Sequence, residues 1–328
     1  AMLVTASNGV FWLAASGRGL FRYDGAQLEA VSVAAVGTRR VTTLATSARG
    51  GLWILGPELG ALRWSDGRVV ESLSVDALGG EPQVLREAVD GTLWVGTTGG
   101  LARVRADGTR LYTAADGLAP GTIRDVMLRP EGTVWVGSYG GGLAALRVDG
   151  RIVRITRDHG LCDNVASRLI DDGLGTVWIN GNRGVYRVRY EDLESVASGR
   201  SASLQCGLLA SGEGNGNGGF RADDGRLWFP TISGVVVIDR REVGEPVAPI
   251  GHIASMSLAG VPVEEGQEVP PMRGDLVVEV TALSFGDPRG LHFRHRLIGY
   301  DAAPVDAGMT RVVRYTRLPP GRYRFEFQ

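Results

Sequence analysis

The chain has 328 residues, 44% of them apolar, and its 35 basic and 36 acidic side chains leave a net charge of −1. That length suffices for one large domain and a small one, and the charge is too balanced for a basic stripe of the kind that binds nucleic acid. Every basic residue is arginine, which excludes Walker A and Schiff-base chemistry. No apolar run reaches the roughly 18 residues of a membrane helix, and no basic segment leads into an apolar one at the start, as a signal peptide would.

Met2-Leu3-Val4-Thr5-Ala6-Ser7 reads as the first strand of a repeat already under way, as expected for a piece of a longer protein. The repeat shows most clearly as Asp90-Gly91-Thr92-Leu93-Trp94-Val95-Gly96-Thr97-Thr98-Gly99-Gly100-Leu101. It recurs at Glu131–Ser138, Gly175–Ile179 and Asp224–Phe229, with earlier copies at Gly51–Ile54 and Gly9–Leu13. The central tryptophans stand at 12, 53, 94, 135, 178 and 228, with successive differences of 41, 41, 41, 43 and 50. A Trp and a glycine-rich loop recurring at that period mark a four-stranded propeller blade. The expected fold is therefore all-β: a β-propeller over residues 1–249, with six visible blades and six or seven in total, then a partial β-sandwich over 250–328.

Within a repeat, an alternating strand such as Thr122–Leu128 leads through Pro130-Glu131-Gly132 into the Trp strand. The Trp strand is apolar on consecutive positions, as a strand covered on both faces should be. A third strand, Leu143–Arg147, ends in the hairpin signal Asp149-Gly150, and Arg151–Ile155 closes the unit. After repeat five comes a detour, Tyr190–Gly199, which reads as a short helix with a glycine stop and accounts in part for the 50-residue step. Pro246 and Pro249 mark a linker. Beyond it lie strands without the Trp motif, Leu276–Val280, His292–Leu297, Arg311–Tyr315 and Arg322–Phe327, the last with no evident partner after it. Cys162 and Cys206 lie in no CxxC and are too few for a zinc site. They are about one blade apart. A disulfide between neighbouring blades and two unpaired thiols both remain open.

These motifs resemble the two-component regulator propeller repeats followed by the domain named for three tyrosines (Y_Y_Y). Gly91–Leu101 and Gly132–Leu143 match the repeat consensus, Gly160–Asn164 the loop before a blade's inner strand, and Leu227–Asp239 the last blade. Tyr300, Tyr315 and Tyr323, with Leu318-Pro319-Pro320-Gly321, match the tyrosine pattern. Pro304 departs from it, standing where Trp is usual, and the domain's final strand has no counterpart. The resemblance implies the periplasmic sensor region of a membrane-spanning histidine kinase or diguanylate cyclase. The propeller would receive the signal, several relatives responding to glycans, and the C-terminal domain would pass it on, with a homodimer through that domain possible.

The loops entering each inner strand and those following each Trp strand should share one propeller face, and loops on a rigid scaffold are the default place for recognition. On that face the candidate ligand-binding residues are Tyr139, His159, Asp163, Asn164, Asn182, Arg183, Glu213, Asn215 and Thr231. Amides, hydroxyls, an arginine and an aromatic ring suit a small polar ligand or glycan. The competing reading is that Asp and Asn beside glycine cap their own turns. No catalytic residue, metal ligand or cofactor is expected. Gly214-x-Gly216-x-x-Gly219 has dinucleotide spacing but no βαβ unit around it. His292 and His295 should point to opposite faces of a strand, and a solvated surface is expected for them. Two rivals stand beside the sensor. A lyase-type propeller enzyme would need a His and a metal at the channel mouth, where His159 is the candidate. A protein-interaction or dimerisation propeller would need neither.

Overall fold

The computed structural model describes residues 2–5, 10–15, 17–212, 214, 216, 218–243, 250–269, 274–283, 293–308 and 310–328. It divides into two compact units, Ala1–Val243 and Gly244–Gln328. In the first, each Trp repeat forms an antiparallel sheet whose strands are hydrogen-bonded in chain order. Blade 1 runs from Met2 to Val31, blade 2 from Thr43 to Leu73, blade 3 from Pro82 to Tyr112, blade 4 from Ile123 to Ile155 and blade 5 from Arg168 to Ser211. Blade 6, Phe220 to Ile238, has three strands among the described residues. The first strands of blades 1 to 5 pack side by side in sequence order, so they are the innermost strands and the later ones radiate outward.

The tryptophans explain this stacking. Trp53, Trp135 and Trp178 are among the largest fully buried side chains, and Trp94 is 8% exposed. Each packs on the following blade: Trp53 clusters with Leu85, Trp94 with Val126, Trp135 with Leu169 and Trp178 with Phe229. Burying an indole removes enough apolar surface to be worth on the order of 4–6 kcal/mol before entropy is counted. Two residues beyond Trp135, on the same face, blades 4 and 5 approach so closely that only a small residue fits. A Cβ on Gly137 would lie 2.4 Å from the Ala166 carbonyl. Blade 5 carries Asn180 at this place, and its amide reaches the carbonyl of Pro230 in blade 6 at 3.2 Å.

The helix expected after repeat five lies inside it. Tyr190–Ala197 separates the third strand of blade 5, Gly184–Arg189, from the fourth, Cys206–Ser211. Leu193, Val196 and Ala197 fill the space beside Trp135 and Ala145 of blade 4, and Gly199 (φ 76°) follows the helix end. Cys162, in the loop entering blade 5, is disulfide-bonded to Cys206 with Cα atoms 5.7 Å apart. The bond closes the entry loop onto the outer strand of the same blade.

Among the described residues, the second unit holds two sheets. One orders Val261–Pro262, Ile250–Leu258, Leu276–Leu283 and Val312–Tyr315, and the other Val305–Gly308, Phe293–Ile298 and Arg324–Phe327. Val278, Val280, Phe293, Leu297, Val313 and Tyr315 form their core. His295 corrects an expectation: it is not solvated but 9% exposed, in the core. Its Nδ1 lies 2.8 Å from the Tyr315 hydroxyl, which donates to Asp301 at 2.7 Å. Burial lowers the His295 pKa, with Asp301 pulling the other way. Burial, then the bond to Asp301, raises that of Tyr315. His292 lies outside the described residues.

Candidate functional site

The pairing registers place the expected loops together. Ile123, opening an innermost strand, pairs with Ser138 at the end of a Trp strand, and Arg168 pairs with Asn180 in the same way. Three segments converge at blades 4 and 5: the Tyr139–Gly142 loop, the entry loop around Gly160–Val165, and the Asn182-Arg183 turn. Gly140 and Gly142 both donate to the Asn164 carbonyl, at 3.0 and 2.7 Å, and Tyr139 bridges to Val165.

Tyr139 presents its ring outward, 49% exposed. The Arg124 guanidinium lies 5.3 Å from the ring centroid, and the Asn182 amide donates to the phenol oxygen at 3.4 Å. Ring and amide thus belong to one surface although 43 residues separate them. Asp163 is buried and committed: it accepts from the amides of Val165 at 3.1 Å and Arg183 at 2.8 Å. Arg183 also bonds the Cys162 carbonyl at 3.3 Å. Beneath them, Tyr186 donates to the Val165 carbonyl at 3.1 Å, its pKa raised by burial and then by Asp163.

Three further candidates stand apart from that cluster or serve the backbone. The Asn164 side chain accepts from the Arg157 amide at 2.8 Å, and His159 Nδ1 accepts from the Thr156 amide at 3.2 Å, closing a single helical turn. Thr231, on blade 6, donates to the Gly234 carbonyl at 3.2 Å, as Thr97 and Ser138 do at matching places to Gly100 and Gly142. Glu213 and Asn215 lie outside the described residues. The dinucleotide-like glycines run into the strand Phe220–Arg221, not a helix.

Two features escaped the sequence reading. Arg124, beneath Tyr139, stands on an innermost strand where its repeat predicts no role. The Asn180 Oδ1 is fully buried beside Gly214, with no hydrogen-bond partner among the described residues. Among the described residues no group of His, Cys, Asp and Glu could hold a metal ion. The arrangement offers a stacking face, amide donors and a cation, a set suited to a neutral or acidic polyol.

Residues 284–328 match the Y_Y_Y domain family. No curated protein matches the chain. Among solved structures, the extracellular domain assigned to a hybrid two-component system of B. thetaiotaomicron superposes with a TM-score of 0.63 at 14% identity, covering 99% of this chain and 47% of that one. A second such domain from B. thetaiotaomicron, assigned to a one-component system, gives 0.54 at 15%, covering 99% and 46%. Virginiamycin B lyase from Staphylococcus aureus, solved with quinupristin as an inactive histidine variant, gives 0.58 at 11%, covering 74% and 81%. At these identities the likeness is one of fold. The chain spans under half the length of either B. thetaiotaomicron domain, whereas the lyase matches only about three quarters of this chain.

Proposed function

We propose that this propeller with its Y_Y_Y domain is the ligand-sensing region of a periplasmic signalling receptor, non-enzymatic in itself. It takes a polar ligand such as an oligosaccharide on the loop face of blades 4 and 5. The observation that carries the reading is Tyr139: a half-exposed ring, steadied by Arg124 and Asn182, on the face where the loops of a rigid scaffold gather. The two B. thetaiotaomicron extracellular domains, assigned to a hybrid two-component and a one-component system and aligned over 99% of the chain, support the sensing role. The Cys162–Cys206 bond fits an oxidising compartment. In the parent protein, occupancy would be relayed through the sandwich to a histidine kinase or diguanylate cyclase.

The test is a glycan array probed with the full chain, repeated with Tyr139→Ala. A retained glycan whose signal falls at least about tenfold in the variant, at unchanged melting temperature, supports the reading. A protein that retains no glycan, or binds one equally well without the ring, refutes it.

A further inference from the structure

The innermost strands of blades 3, 4 and 5 bring together three charged side chains that no repeat consensus explains. The Asp125 carboxylate is fully buried. It receives Arg86 Nη2 at 2.7 Å, Arg168 Nη1 at 3.2 Å, and the amides of Val126 and Leu169 at 2.9 and 2.8 Å. Arg86 also donates to the carbonyls of Val126 and Leu85, at 3.2 and 3.3 Å. Arg168 donates through Nε to Gly219, just ahead of blade 6, at 2.9 Å.

Arg168 therefore reaches from blade 4 to the threshold of blade 6, although its own strand lies between them. A side chain can do this only by crossing in front of its strand's unpaired edge, on the side of the propeller axis. Solvent reaches this place: the Arg86 and Arg168 side chains are 32% and 21% exposed. Two guanidiniums share one carboxylate. Burial lowers the Arg86 pKa; Asp125 opposes that and Arg168 adds to it. Arg168 Nη2 makes no hydrogen bond among the described residues. Two guanidiniums beside one buried carboxylate leave a net positive charge at this place, and a guanidinium edge is shaped for an oxyanion.

We propose that the axis at Arg86 and Arg168 is an anion site, taking a carboxylate, sulfate or phosphate group with Arg168 Nη2 as the open donor. The site does not depend on what occupies Tyr139. A free ion and the acidic group of a sugar share the chemistry, and the test separates them. Crystals of the full chain soaked in sodium bromide are expected to show an anomalous peak within hydrogen-bond reach of Arg168 Nη2. An empty map there overturns the proposal, and this readout needs no variant. In calorimetric titrations with sulfate and with glucuronate, glucose serving as control, at least one anion should bind, and Arg168→Gln should weaken it at least about tenfold, the loss of one charge-assisted bond. Tighter binding of sulfate marks a free-ion site, and tighter binding of glucuronate marks an acidic-sugar site. Anion binding that survives Arg168→Gln unchanged, or that glucose matches, overturns the assignment.

Discussion

Blades 5 and 6 carry the same motif and differ in what covers it. Trp178 is 1% exposed, faces Leu227 and Phe229 of blade 6, and donates its Nε1 to Asp172 at 3.1 Å. Trp228 is only partly buried, stacks on Phe220 of its own sheet with centroids 6.0 Å apart, and leaves its Nε1 without a partner among the described residues. Val237 and Val235, paired with Trp228 and Pro230 and so on the same face, are 42% and 59% exposed. The motif thus specifies a strand that is apolar on both faces, and the following sheet supplies the burial.

The contrast can be broken or sharpened by experiment. Trp178→Ala should destabilise the propeller by about 3–5 kcal/mol and Trp228→Ala by under about 1.5 kcal/mol, both read from urea unfolding. Equal losses would mean that something covers blade 6 in solution. Next in size, replacing both Cys162 and Cys206 by Ser should cost about 2–4 kcal/mol, since the bond closes a loop of 44 residues. Blade 6, outside that loop, should keep its amide-exchange rates.

The pH effect comes third and belongs to the second unit. His295 titrates below its ordinary value of 6.5 because it is buried. The unfolded chain therefore takes the proton first, so the stabilisation is complete above that value and is lost as pH falls through the folded pKa. Melting temperatures of the full chain followed from pH 8 to 5 should show this slope, and His295→Gln should flatten it. Last, Tyr139→Ala should change stability by no more than about 0.5 kcal/mol, as an exposed site does, although ligand binding is expected to collapse.

Much of the fold could be read beforehand because the Trp spacing repeats a structural unit, and a period is a local signal. The helix was visible as a departure from that period, but its place inside blade 5 was not. Nothing in Cys206–Ser211 marks that strand as the missing fourth until Val188 and Cys206 are seen paired. At the site, Asp163 and Asn164 announced themselves as Asx residues beside turns, and in the structure they serve the loops. Tyr139 with Asn182 was legible as residue types on one face, but Arg124 beneath the ring was not. Arg86, Asp125 and Arg168 could not be found from sequence, since their meeting depends on how three separate sheets align.

The contacts between innermost strands tie neighbouring blades in turn. Thr43 reaches the Gln83 carbonyl, Arg86 reaches Asp125, Asp125 receives the Leu169 amide, and Arg168 reaches Gly219. Each of these links joins neighbouring blades, so cohesion accumulates from neighbour to neighbour. A disturbance at one sheet is therefore felt first by the sheets on either side of it.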